Sequence, residues 1–507
     1  MPTWIRPVSR LPMTEPARAG EPYRRARAAG RAGLAAIGLA IAVMLAVALL
    51  GPSAAVPDLG GGGPPWSLRG APSDLLVIQL TWAAVIAGGL GVGAGLYALR
   101  RGWRPPRGIL LAGTVAAVLA LTLVPPAGST DVLNYAVYGR IAALGQDPYV
   151  VTPAWLHRLA DPVGELAPLA WRNAPSVYGP LATWAQLAAS RLGGASMAGT
   201  VFALKAMTGL AFLLSALMLD RLAGPDRERR IRVHLLWSLN PLMLWHVVLG
   251  GHIDGLGVVF LVAAFLVMRR GGVVAGLVAG VLLGAAAAVK APFVIAGAGL
   301  AWAARRSAAT FLSMVMGVSA ALVTAYATQG PEAFGNMVGK IGAHSLADPW
   351  RVITDVLGLG AEPSTLEGQL TLGVAFLIGL LLCWRLPPVP PGLDAVRPAL
   401  AWCLCWLLTS PVQHPWYDAL LFPLLALMPA GRLDGLLIAR GAVTSLIYLP
   451  GAIGFLMLQP TGLTRWIAEV YRPWIAPLAS DLIILCVVVL GLAGAFRHSR
   501  TPAPADG

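Results

Sequence analysis

Charge is what this chain has least of: Asp, Glu, Lys and Arg together make 12% of its 507 residues, while 57% are apolar. Soluble domains carry about twice that charge, so an ordinary water-soluble protein is excluded. Cysteine is scarcer still. Cys383, Cys403, Cys405 and Cys486 all fall in apolar runs, with no spacing that suggests a disulfide framework or a metal site, and read as small packing residues. No internal repeat of the transporter kind is visible. Nor is there a nucleic-acid-binding motif, or a polar stretch long enough for a large soluble domain.

What is there is a succession of apolar runs of the length that a hydrocarbon core of about 30 Å demands of a helix. They lie at about residues 33–53, 75–99, 108–125, 197–219, 233–250, 253–268, 271–288, 291–304, 308–327, 367–384, 397–411, 416–430, 434–458 and 477–496. The fold expected is an all-α polytopic membrane protein of about fourteen transmembrane helices. Residues 271–304 would make one helix of roughly 50 Å, too long for a single crossing. They are therefore divided at Lys290–Pro292. The first run is long for a signal peptide and lacks a convincing cleavage site, so it is read as a retained span.

The net charge of +14 and pI near 10.3 follow from where the arginines sit. Arg6, Arg10, Arg18, Arg24, Arg25, Arg27 and Arg31 precede the first run, and Arg100, Arg101, Arg104 and Arg107 separate the second from the third. Further clusters are Arg221 to Arg232, Arg269 with Arg270, and Arg305 with Arg306, followed by Arg385, Arg397, Arg432, Arg440, Arg497 and Arg500. They fall between alternate pairs of spans, as cytoplasmic loops should. Three parts follow: a basic cytoplasmic segment (1–32), a membrane domain (33–496) and a cytoplasmic tail (497–507). The outer loops are 126–196, 328–366 and 459–476, joined on that side by the turns around His252, Lys290 and His414. Gly60–Trp66 reads as a flexible linker.

Loop 126–196 holds most of the outer acids and aromatics. After Asp131 come Asn134, Tyr135, Tyr138 and Arg140, the first three placed to share a helical face with Asp131. A carboxylate, an amide and aromatic rings at a membrane surface suit the holding of a sugar. The same pattern also fits an amphipathic helix lying on the bilayer, with Ser129 or Thr130 as its cap.

The run from Asp131 through Tyr135, Gly139 and Asp147-Pro148-Tyr149, then Trp171-Arg172 and Pro175-Ser176-Val177-Tyr178-Gly179-Pro180-Leu181, resembles the polyprenol-phosphate-mannose-dependent α-1,6-mannosyltransferases of actinobacteria. These are glycosyltransferases of the GT-C fold type. The likeness continues through Gly250-Gly251-His252-Ile253-Asp254, Lys290-Ala291-Pro292 and His414-Pro415-Trp416-Tyr417, in order over about residues 125–420. Ile253 departs from the pattern, which has a small polar residue there, often Asn.

The arginine topology puts both termini in the cytoplasm, and the resemblance implies a plasma-membrane enzyme with an extracytoplasmic active site. Its donor would be mannose on a polyprenyl phosphate, and its acceptor a mannan or lipomannan-type glycan or glycolipid. Asp131 would be the base of an inverting transfer. Substrate contacts would come from Asn134, Tyr135, Asp147, Tyr149, Trp171, Tyr178, His252, Asp254 and His414, with Trp416 and Tyr417 either stacking on a sugar or belonging to the aromatic belt of the membrane interface.

Arg140, Arg172 and Lys290 would meet the phosphate, lipid headgroups being their other natural partner. Lys205, near the outer end of its span, is expected to snorkel. No cofactor is expected, and no metal, although His252, Asp254 and His414 could form a remote ligand set. Expected partners are membrane lipids, a polyprenyl-phosphate-sugar donor and a glycan or glycolipid acceptor, and no nucleic acid. Competing readings are a transferase for another polyprenyl-phosphate sugar, a carrier or flippase, which would place ionisable groups near the bilayer midplane, and an assembly protein.

Overall fold

Each apolar run becomes helix because lipid offers no partner to a backbone N–H or C=O, and the helix satisfies both internally. The computed structural model describes residues 20–61, 63–338, 345–352, 354, 365–450 and 462–496. The tail 497–507, the start of segment 1–32, and parts of loops 328–366 and 459–476 and of run 434–458 lie outside the described residues. The main helices are α1 (Glu21–Leu50), α2 (Asp74–Arg100), α3 (Arg107–Leu123), α4 (Asp131–Ala143), α5 (Pro180–Gly193), α6 (Met197–Leu222), α7 (Asp254–Met268), α8 (Gly272–Val289) and α9 (Ala308–Ala327). After them come α10 (Thr365–Arg385), α11 (Val396–Thr409), α12 (Arg432–Tyr448) and α13 (Ala476–Leu492).

All fourteen expected runs fall on helical segments. Among the described residues seven helices are individually long and apolar enough to cross a membrane, or eight if one bent pair counts as a single span. That pair is Arg227–Leu249 with α7, expected as two separate spans, between which the chain bends by 119°. Arg107–Leu123, Ala291–Ala304, Val396–Thr409 and Pro415–Leu427 are shorter apolar helices. At 1.5 Å per residue they reach from about 20 to about 25 Å. The chain is a multi-pass all-α membrane protein.

Small residues let the helices close together. Gly276, Gly280 and Gly284 line one face of α8 at spacings of four, and a Cβ at Gly280 would lie 2.1 Å from the Met314 carbonyl oxygen of α9. At the basic end, Arg107 grips Asp220 with two hydrogen bonds of 3.1 and 2.6 Å, and Arg104 reaches Glu228 at 2.5 Å. Buried Arg232 pairs with Asp434. One expected cytoplasmic-loop residue is elsewhere: Arg440 lies inside α12, 2% exposed. The sequence disguised it because arginine inside a span is rare without a buried partner, and its partner is 22 residues away.

Helix α3 runs from this basic end to the opposite one, where Asp131 begins α4. Lys205 does not snorkel. It is fully buried, and its ammonium donates to the carbonyls of Leu121 (2.8 Å) and Val124, completing the C-terminal end of α3. Nor is α4 a helix lying on the bilayer: residues 132–139 are all buried. Thr130 is its N-cap without a side-chain bond, and the Ser129 hydroxyl instead accepts from the Asp131 N–H at 3.1 Å. Gly179 brings loop 126–196 against the end of α8, where a Cβ would sit 2.1 Å from the Ala288 carbonyl oxygen. Gly179→Ala is expected to lower stability by about 1–3 kcal/mol through overpacking, read as a fall in thermal midpoint of the purified protein relative to Gly435→Ala, whose Cβ would meet open space.

Candidate active site

Three interruptions of the helical chain meet beside the start of α4. Between Leu249 and Asp254 the chain turns through Gly250 and Gly251. Gly251 has φ +68°, and a Cβ there would press on Lys205 and Val132. Lys290 follows the end of α8 in extended backbone, φ −156°. His414 likewise precedes a short 3-10 turn, Pro415–Leu420, with φ −129°. The turns around His252, Lys290 and His414 thus meet beside Asp131 of loop 126–196.

The His252 Nδ1 lies 2.5 Å from the His246 carbonyl oxygen. A carbonyl only accepts, so Nδ1 carries the hydrogen and the neutral ring leaves Nε2 bare. Burial holds the ring neutral by pushing its pKa well below the usual histidine value. Nε2 lies 3.7 Å from Asp131 Oδ2 and makes no hydrogen bond. Burial raises the Asp131 carboxyl to about 6, against the opposing pull of Lys290, with the Asp254 charge pushing the same way as burial. The Asp131 side chain is still 17% exposed, so a ligand can reach it.

Asp254 is fixed from α8: the Lys290 ammonium donates to its two oxygens at 2.9 and 3.0 Å. The same ammonium sits 4.1 Å from the centre of the Tyr417 ring. Trp416 is clasped between two imidazoles, His252 at 4.0 Å and 17° and His414 at 4.6 Å and 4°. Both faces of Trp416 are thus occupied and Tyr417 faces a cation, so the sugar-stacking role expected of this pair does not fit the geometry. Burial takes the His414 pKa down to about 3, aided by the Lys290 charge. Tyr135 meets Tyr178 edge-on at 4.9 Å, and burial drives the pKa of both phenols well up. Asn134 is buried with its carbonyl oxygen unpartnered.

Three other expected contacts, Arg140, Asp147 and Tyr149, serve the architecture of the loop. Arg140 spends its charge on Asp161, at 2.9 and 2.8 Å, while Asp161 caps the next short helix. Asp147 is exposed and accepts from the Tyr149 N–H at 2.8 Å. The Tyr149 hydroxyl donates to the Tyr178 carbonyl at 2.9 Å and lies 2.7 Å from the Thr183 hydroxyl. Trp171 is 36% exposed on a short 3-10 turn. Arg172 keeps its Nε buried without a hydrogen-bond partner. Among the described residues no group of three or more His, Cys, Asp and Glu side chains is arranged to hold a metal ion.

Sequence reasoning missed the support beneath the site: His246, Gln413, Asp418, Arg440, Ser445 and Tyr448. The one signal available was Arg440, a lone arginine within run 434–458.

The family model described as "Alpha-(1->6)-mannopyranosyltransferase, N-terminal domain" matches residues 34–306. Alpha-(1->6)-mannopyranosyltransferase A of Mycobacterium tuberculosis is 27% identical over 390 residues, 71% of this chain and 69% of that protein. A second alpha-(1->6)-mannopyranosyltransferase of that organism is 31% identical over 139 residues, 27% of this chain. A probable one of Mycolicibacterium smegmatis is 32% identical over 136, also 27%. These two alignments span 24% of the relatives' own length. No solved structure matches the chain.

Asp254→Ala leaves the ammonium of Lys290, a side chain 14% exposed, without its carboxylate. It is expected to destabilise the protein by about 3–5 kcal/mol, measured by thermal unfolding in detergent. The paired variant Asp254→Leu with Lys290→Met should recover most of that loss.

Proposed function

The chain belongs to the alpha-(1->6)-mannopyranosyltransferase family, and from that membership we propose that it is an inverting mannosyltransferase using a polyprenyl-phosphate-mannose donor. In this reading residues 33–496 form one catalytic membrane domain of the plasma membrane, flanked by cytoplasmic segments 1–32 and 497–507. The site faces away from the cytoplasm, and the acceptor is a mannan or lipomannan-type glycan that gains an α-1,6-linked mannose.

The observation that carries the reading is Asp131 itself: a carboxyl raised to about 6, partly open, and facing the bare nitrogen of His252 across 3.7 Å. The Asp131 carboxylate is placed to accept from the attacking hydroxyl, and the bare His252 Nε2 to accept from a second hydroxyl of a sugar. Asp131 takes the hydroxyl proton as the oxygen attacks the anomeric carbon. The bond from that carbon to the phosphate oxygen breaks, and its electron pair leaves with the polyprenyl phosphate. A β-linked donor then gives an α-linked product. A base with a pKa near 6 is mostly ionised at neutral pH and still basic enough to assist.

Lys290 retains one ammonium hydrogen after bonding both Asp254 oxygens, and Arg172 a free Nε–H; these suit the leaving phosphate. The carrier reading is less well supported, because the candidate groups gather at one end of α3 instead of near mid-membrane.

The test is mannose transfer from synthetic polyprenyl-phosphomannose to short α-1,6-mannosides in membranes holding wild type or Asp131→Asn. Wild type is expected to transfer, and the variant to fall by about 10²-fold or more. The wild-type rate should rise with pH through about 6 and level off above, since only the ionised carboxylate accepts a proton. Transfer that persists in Asp131→Asn places the base elsewhere.

A further inference from the structure

We propose that α12 is the positioning scaffold of this site, with Arg440 as a positioning residue that holds segment His414–Tyr417, and through it His252, in register with Asp131. The inference deepens the transferase reading and rests on it for its kinetic consequence. Helix α12 lies outside residues 34–306, which the family model matches.

Gln413 and Asp418 bracket His414, Trp416 and Tyr417, and one guanidinium grips both. Arg440 Nη2 donates to Gln413 Oε1 at 2.7 Å, and Nη1 donates to Asp418 Oδ1. All three side chains are buried. Tyr448, two turns on, donates to the Gln413 carbonyl at 3.0 Å and sets its ring edge against His414 and Trp416, at 5.1 and 5.7 Å.

Between them in sequence, and three residues before Tyr448 on its face of the helix, the Ser445 hydroxyl lies 2.8 Å from His246 Nε2. The backbone carbonyl of His246 is the group that takes the Nδ1 hydrogen of His252. Helix α12 therefore reaches His252 from two directions: along its edge through His246, and on its face through Trp416. If the ring turned, its bare Nε2 would leave Asp131.

A planar, two-pronged guanidinium fixes the direction of both partners, which a packed apolar pair does not. That difference separates positioning from stability. Replacing both members of a buried ion pair by apolar residues commonly preserves the fold. The experiment therefore uses Arg440→Met with Asp418→Leu, and Arg440→Lys alone, with hydrogen exchange over residues 411–420 and transfer kinetics on each.

The double variant is expected to melt within a few degrees of wild type and to exchange faster in that segment. Its kcat should fall by about 10²-fold, the scale of a misplacement of about 1 Å, with little change in donor KM. Arg440→Lys, which can keep Asp418 but not both partners, should be intermediate. A folded double variant with wild-type exchange and kcat overturns the proposal.

Should the double variant not fold, Ser445→Ala removes only the neutral hydrogen bonds to His246 and to the Gly441 carbonyl and should still lower kcat several-fold; an unchanged kcat there counts against α12. Exchange does not depend on turnover. Faster exchange in a protein whose wild type transfers nothing would sustain the clamp and defeat the transferase reading instead.

Discussion

A membrane-spanning chain pays for every break in its helices, because the freed backbone groups find no water in the hydrocarbon. Here the breaks after Leu249, at Lys290 and before Pro415 are gathered against the start of α4. There the Lys290–Asp254 pair, the Tyr417 ring and the two imidazoles around Trp416 enclose them. Irregular backbone is tolerated because it is packed in protein, and the same packing desolvates Asp131. The constraint that shapes the fold is thus also the source of the raised carboxyl.

Charge is handled differently at the two ends of α3. At the basic end Arg107 meets Asp220 and Arg104 meets Glu228, each guanidinium close to a carboxylate. At the other end the groups are only partly balanced: Asp254 is matched by Lys290, while Asp131 faces a neutral imidazole. One unmatched carboxylate beside a shared cation is costly in a structural pair and useful in a site that must take up a proton.

Much of this was legible in the sequence. The fourteen apolar runs each mark a helical segment, since hydropathy at helical length is a property of neighbours in the chain. Division at Lys290–Pro292 was legible too, because a cation and a proline interrupt an otherwise apolar stretch. The resemblance brought Asp131, His252, Asp254, Lys290, His414, Trp416 and Tyr417 to notice, and they are brought together. What stayed hidden depends on partners distant in the chain. Arg140 looked available until Asp161, 21 residues on, claimed it. Lys205 looked able to snorkel until the carbonyls of α3 were found above it. Arg440 was grouped with loop arginines, for nothing near it in sequence reveals Gln413 and Asp418 as its partners.

The central claim is that the breaks in the helices assemble one site in which Asp131 receives the proton of a sugar hydroxyl. The most direct measurement is a structure of the protein with a non-transferable polyprenyl-phosphonate mannose analogue and a short α-1,6-mannoside. The account predicts an acceptor hydroxyl within about 2.6–3.2 Å of the Asp131 carboxylate, with the phosphonate against Lys290. An acceptor hydroxyl resting on a different acid, or a phosphonate bound at the Arg107–Asp220 end of α3, would contradict it.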